Sequence, residues 1–400
     1  MKKFSILALV LLLLVSIIFC GCSKQVSDYV VNNNETINIG ILITDESSES
    51  QGITSGINYA FERANAINLE KKYTINLNTS VAKDIDEINV VAEQFESYNV
   101  AAVICQGKDK DTTDAIIEAF SEYNNLPLIF IDCYSNLIYE KENVFSISIP
   151  YSYQASAVVS HLISESKTTG AVICATDDDY YKNFAKVFES TFTQNSGTVT
   201  TYYYSGENCN FNANTVASSA YDFVFIIGNT DEKIHIYSEL ISAGVTSSII
   251  FSEVTDKLCL EDTDYNNITY ISKFEQDDNN YIGTDFINTY SSANNISRSD
   301  VTTDIAYGYD SYMTVYDALV SLNPNQNPLI QNTEPAEETK SEIYTKDVAE
   351  AIKSITHMGV TDVIRFDKNG LSNPAFIYTS RIDNAHSGML SRYNFNNEQN

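Results

Sequence analysis

INIGILITDESSESQGITSGINYAFERANAI, residues 37–67, is a short apolar run that hands over to a helical pattern. Ile37 to Ile43 read as a strand buried on both faces. Ile53, Ile57, Phe61, Ala64 and Ile67 then recur at helical spacing and form one apolar stripe. The same handover repeats downstream: strand Tyr73 to Leu77, helix Ile85 to Tyr98, strand Val100 to Cys105, helix Thr112 to Tyr123, strand Leu128 to Ile131. Strand-helix units with buried strands predict an α/β fold in which parallel sheets are covered by helices on both faces.

After Pro150 the pattern starts again. Helices are expected at Tyr153 to Ser164, Tyr181 to Gln194, Ala213 to Ser219 and Glu232 to Ala243. They alternate with strands Ala171 to Ala175, Thr198 to Tyr204, Asp222 to Ile227 and Ser248 to Phe251. A chain of 400 residues exceeds what one core usually serves, so two Rossmann-like lobes are expected. Val301 to Leu322 reads as a further long helix. Asn323 to Thr345 is rich in Pro, Glu and Asn and reads as an exposed loop. Asp347 to Thr356 resumes a helix. Strands Val363 to Phe366 and Ala375 to Ile382 flank Asp367-Lys368-Asn369-Gly370, where Asn-Gly suits a tight turn. The tail after Ala385 is expected to fray.

The N-terminus carries an address. Lys2 and Lys3 precede an uncharged apolar run from Phe4 to Phe19, the pattern of a secretory leader. As a helix that run spans roughly 24 Å, short of the ~30 Å hydrocarbon core. Phe19-Cys20-Gly21-Cys22 resembles a bacterial lipobox, with Gly21 before the cysteine and Phe19 in place of the usual leucine. The resemblance implies cleavage after residue 21, acylation of Cys22, and anchoring on the extracytoplasmic face of the cell membrane. Residues 22–36 are then a polar tether.

Charge narrows the partners. With Lys2 and Lys3 removed, 22 basic residues face 53 acidic ones, a net charge of −31. Such a surface excludes nucleic acid as a partner. Cys105, Cys133, Cys174, Cys209 and Cys259 remain for the folded part, an odd number that rules out a complete disulfide framework. Cys105 and Cys133 each end an expected strand, and either pair or stay as buried thiols. His161, His235, His357 and His386 are scattered, with no zinc-site spacing and no cofactor signature.

With these elements placed, the chain resembles the leucine/isoleucine/valine-binding protein family, the type I extracytoplasmic solute-binding proteins of ABC transporters. The match rests on Ile39-Gly40-Ile41-Leu42 followed by Gly52, Gly56, Ala60 and Ala64-Asn65, and on Asp177-Asp178-Asp179-Tyr180. Ala306, Tyr309 and Asp310, and Phe366-Asp367-Lys368-Asn369-Gly370, extend it. It departs where Tyr181 replaces a usual glycine. The resemblance implies two lobes joined by three crossovers, the first at 37–148 and 276–356, the second at 149–275 and 357–384, with 385–400 as a flexible tail. It also implies a cleft between the lobes that takes a small solute and a pair of permease subunits as partners.

The same resemblance places candidate ligand contacts. Lys110, Asp111 and Thr112 fall where the family presents hydroxyls and amides to a carboxylate, and Asp111 would repel such a group. Tyr134 and Ser135 cover the next loop, with Asp132 read as a helix-facing or hinge acid. Tyr180 matches an aromatic cleft residue and Asn229 replaces a family tyrosine. Glu253 takes the position whose carboxylate holds an ammonium. An amino acid or related amine is therefore the expected ligand. A ligand-sensing lipoprotein of the same fold without transport is the alternative. Catalysis is not expected: Ser164-Glu165-Ser166-Lys167 has a serine-lysine spacing but sits at a helix end. Asp262-Thr263-Asp264 lacks the glycine and final glutamate of a calcium loop.

Overall fold

A computed structural model describes residues 28–32, 36–67, 73–121, 123, 125–176, 178–205, 210–260, 265–322, 342–383 and 386–395. The leader, Cys22, Asp177, Cys209 and most of the expected 323–345 loop lie outside them.

The first sheet is wholly parallel, in the order β2 (Thr74–Val81), β1 (Thr36–Ile43), β3 (Val100–Cys105), β4 (Leu128–Phe130), β5 (Val144–Ser146). Alternation along the strands builds two cores. Ile39, Ile41 and Ile43 of β1 pack with Ile53 and Ile57 of α1 (Ser48–Ile67) and with Tyr312 and Val315 of α9 (Thr303–Ser321). Val103 and Phe130 face the opposite way. They meet Phe95 of α2 (Ile85–Ser97) and Phe120 of α3 (Lys110–Phe120). Helices α1 and α9 approach closely enough that a Cβ on Gly56 would lie 2.0 Å from the Ile305 carbonyl oxygen, and one on Gly308 2.2 Å from that of Ile53. Only glycine at both positions permits this backbone contact.

The second sheet runs β14 (His386–Asn394), β13 (Phe376–Asp383), β10 (Ile268–Ser272), β9 (Ser248–Glu253), β8 (Phe223–Ile226), β6 (Thr169–Ala175), β7 (Thr198–Tyr204). Strands β6 to β10 are parallel, while β13 and β14 close the edge antiparallel. Helices α4 (Tyr151–Ser164), α5 (Asp179–Gln194), α6 (Ala213–Ala217) and α7 (Thr230–Ser242) pack on it. Phe184, Phe188, Phe192, Phe223 and Phe225 lie at its centre.

Among strands and α-helices, five were not expected from sequence: β5, β10, β11 (His357–Met358), β14 and α8 (Tyr281–Asn294). While 385 and 396–400 lie outside the described residues, His386–Asn394 within the tail expected to be flexible form β14, held to β13 from Phe376↔Asn394 to Asp383↔His386. Its side chains are mostly exposed, so it is held by backbone pairing rather than by an apolar run. Residues 28–32, expected within the tether, belong instead to the folded structure. Val31 is buried and its N–H bonds to Ile343, and Tyr29 donates to the Val100 carbonyl, so residues 28–32 dock on the first lobe. Residues 357–372, expected in the second lobe, border the first sheet. There β11 (His357–Met358) pairs with β12 (Val363–Ile364), Ile364 joins the first core, and Ser146 exchanges hydrogen bonds with Gly370 and Ser372. Gly370 has φ +78°, the positive angle the Asn-Gly turn requires.

The chain passes between the sheets after β5, after β10 and before β13. These crossovers are tied together. Ser372 donates to the Ser148 carbonyl at 2.8 Å. Buried Lys273 donates to Asp362 at 2.7 Å and to the Phe376 carbonyl at 2.8 Å. Last, α10 (Thr345–Ser354) packs Val348 and Ile352 into the first core.

Candidate functional site

Parallel strands end on one side of each sheet, and ligands of such sheets bind just beyond those ends. Here the ends of β1, β3 and β4 face those of β8 and β9 across the space between the lobes. Two adjoining cavities fill that space and share Asp132, Tyr134 and Thr230. One, with an empty volume of about 450 Å³, is lined by Tyr180, Tyr181, Gln154 and Glu253. The other, about 670 Å³, is lined by Asp45, Glu49, Gln106, Lys108, Asp231 and Asp256.

The lobes touch around these cavities. Ser48 donates to Asp256 at 2.6 Å and Thr255 donates to Glu49 at 2.5 Å. The backbone N–H groups of Thr303 and Asp304, at the start of α9, donate to the Thr255 carbonyl. Tyr307 donates to Glu253 at 2.5 Å. The cleft is therefore held shut by interlobe hydrogen bonds, each contributing about 0.5–3 kcal/mol in general according to the charge of its partners.

Glu253 ends β9, half-buried, and also accepts from the Ile149 N–H at 3.1 Å and from Gln154 at 3.4 Å. Burial lifts its carboxyl to about 7, against the lowering effect of Tyr307, Ile149 and Lys233. Burial and the charges of Glu49 and Glu253 push Asp132 well above the carboxylate range. Glu49 is raised too, first by burial. These two carboxyls lie side by side on the first lobe, at the start of α1 and just after β4, and their mutual repulsion favours keeping one proton between them. Buried Lys233 on α7 donates to the Glu253 carbonyl, and burial pulls its amine down to about 8.

Of the residues expected from sequence, Tyr134, Tyr180, Asn229 and Glu253 line the cavities. Asn229 is committed to capping α7: its side chain accepts from the Glu232 N–H at 2.9 Å while Glu232 accepts from its own N–H at 2.8 Å. Lys110, Asp111 and Thr112 line neither cavity. Lys110 is paired with Asp114 at 2.7 Å, Asp111 is exposed, and the Thr112 N–H bonds to Asp109, the cap of α3. The part of that loop that reaches the cleft is Gln106 to Lys108, nearer the strand end. Ser135 is buried away from both cavities, where it donates to Asp114 and accepts from the Leu137 N–H.

Sequence reasoning missed Glu49, Tyr181, Thr255 and Asp256 as cavity-lining residues and Lys233 behind them, and cast Asp132 elsewhere. Lys233 was accessible: with Ile236, Tyr237 and Leu240 it lies at helical spacing on the buried face of α7. Cys105, Cys133, Cys174 and Cys259 are free thiols, so the Cys105–Cys133 pair is not formed. Among the described residues no group of three or more His, Cys, Asp or Glu side chains is arranged to hold a metal ion. No helix among them is long and apolar enough to cross a membrane.

Comparison with known proteins places this architecture. A family model described as "Periplasmic binding protein" matches residues 36–366. No curated protein sequence matches. The branched-chain amino acid transporter substrate binding protein LivJ from Streptococcus pneumoniae, in complex with isoleucine, superposes with a TM-score of 0.70 at 18% identity. That match covers 90% of this chain and 99% of the other. The leucine binding protein LivK from Thermotoga maritima gives 0.70 at 18%, over 89% and 98%. A solute binding protein from R. palustris in complex with benzoate gives 0.68 at 11%, over 89% and 95%.

Proposed function

We propose, on the premise that the chain belongs to the periplasmic binding protein family, that it is the lipid-anchored solute-binding subunit of an ABC transporter. It captures a small polar solute bearing an amine in the interlobe cleft and presents it to permease subunits at the extracytoplasmic face of the membrane. The observation that carries this reading is the convergence of polar side chains from both lobes on cavities at the carboxyl ends of both sheets. Transport is supported by the likeness in fold to LivJ, a branched-chain amino acid transporter substrate binding protein. Anchoring is supported by the leader and Cys22.

Binding draws its energy from closure. A solute that contacts both lobes favours the closed state by its differential contacts there. Tyr134, Tyr180 and Glu253 would meet the solute together with Glu49 and Asp132. Calorimetric titration with amino acids, amines and sugars, paired with small-angle scattering, tests this. Saturable binding with compaction is expected; no saturable binding by any class contradicts it. Labelling with radioactive palmitate should mark the wild type and leave Cys22→Ser unlabelled.

A further inference from the structure

A carboxylate-bearing solute needs donors, and in a parallel α/β cleft these come first from helix N-termini. In this protein the termini of α1, α3, α5, α7 and α9 are already occupied, and α4, which follows Pro150, has no side-chain cap among the described residues. Asp109 accepts from Thr112 on α3, Asp178 from Tyr180 and Tyr181 on α5, and Asn229 with Glu232 closes α7. At α1 the Ser50 N–H bonds to the Ser47 hydroxyl, which itself donates to Asp45. The first N–H groups of α9 are taken by the Thr255 carbonyl.

The acceptors show the opposite balance. Asp45, Glu49, Asp132, Asp231, Glu253 and Asp256 line the two cavities, against Lys108 alone among cations. Lys233 lies behind this wall with its amine bonded to the Glu253 carbonyl. Independently, the Tyr181 hydroxyl has no hydrogen-bond partner among the described residues, although the residue is only 4% exposed and lines the cavity beside Glu253. A buried hydroxyl left unpaired is costly, and a ligand that bonds to it removes that cost. Its ring lies edge-on to Tyr134 at 6.0 Å, and Tyr180 sits 6.1 Å from Tyr134, forming an aromatic wall suited to a cation.

We propose that the cleft takes a small organic cation without a carboxylate, such as an alkyl diamine, held between the Glu49, Asp132 and Glu253 carboxyls and the Tyr134, Tyr180 and Tyr181 rings. This rests on the cleft being the solute site. The ammonium group that enters beside Asp132 and Glu49 displaces the proton they share to solvent, and the second ammonium of a diamine meets a different carboxylate of the wall.

The test is titration calorimetry of the purified full-length protein with 1,4-diaminobutane, 1,6-diaminohexane, choline, isoleucine and benzoate. At least one of the three cations should bind, with isoleucine and benzoate silent. Asp132→Asn should weaken that binding tenfold or more. Lys108→Ala, at an exposed position that leaves folding intact, should tighten it severalfold by removing a repelling charge. Preferential binding of isoleucine or benzoate, weakened by Lys108→Ala, would overturn the cation inference and leave the solute-binding reading standing. Silence toward all five would overturn the cation inference; if amino acids, amines and sugars at large are silent too, the solute-binding reading falls with it.

Discussion

Lys273 at the crossovers and Lys233 in the cleft are both buried and both lie among carboxylates, yet only Lys273 is ion-paired. Lys273 meets Asp362 at 2.7 Å, donates to the Phe376 carbonyl and lies over the Phe376 ring at 5.1 Å. Asp362 in turn accepts from the Ala375 N–H at 2.6 Å. Lys233 donates to a backbone carbonyl and, among the described residues, has no ion-pair partner. Burial lowers the affinity of both amines for protons. The crossover charge is matched within the protein, and the cleft charges are not. Matched buried charge is structural; unmatched buried acids on a cavity wall are available to a ligand.

The largest effect should come from breaking the matched pair. Lys273→Met leaves Asp362 buried without its cation and should cost about 3–5 kcal/mol in urea unfolding. Replacing both residues with apolar ones should recover much of that loss. If the single variant costs less than 1 kcal/mol, the crossovers are not held by this pair.

A second matched site is expected to give a pH dependence. Burial pushes the His357 imidazole down, but Asp310 and Asp317 outweigh it and hold it at about 9. Nδ1 lies 2.7 Å from Asp317, while Asp310 also accepts from the Val360 and Thr361 N–H groups. A folded value above the unfolded 6.5 or so means the contribution is complete below that pH and is lost as pH rises through 9. It should amount to roughly 2 kcal/mol, reduced by solvent around half-exposed Asp317. Unfolding measured from pH 6 to 10 should show this decline in the wild type and not in His357→Gln.

The cleft hydrogen bonds come next. Thr255→Val removes the bond to Glu49 and should weaken closure by about 1.5 kcal/mol, roughly tenfold in solute affinity. Global stability should scarcely change, because each lobe keeps its own core. A loss of stability equal to the loss of affinity would make this contact part of the fold instead.

The sheets were legible because their central strands are continuous Ile, Val and Phe runs, and α1 and α9 because their apolar stripes keep helical spacing. β14 was not, since HSGMLSRYN buries little and is held by pairing across the sheet edge. β5 has three residues, too few for a periodic signal. Glu253 was legible as an acid at a strand end. Glu49 and Asp256 were not, because they meet only when the lobes come together, and no local pattern encodes a contact between residues some 200 positions apart. Lys110 to Thr112 were misplaced for the converse reason: Asp109 caps α3 and turns its first residues away from the cavity.

The most direct test pairs two readings on one variant, Asp132→Asn. If the cleft acids are kept for a ligand rather than for the fold, replacing a buried carboxyl that costs energy to hold beside Glu49 and Glu253, whether charged or protonated, should stabilise the protein by about 0.5–2 kcal/mol at neutral pH. Solute binding should fall at least tenfold in the same sample. A drop in stability like that of Lys273→Met, with binding retained, would contradict the account.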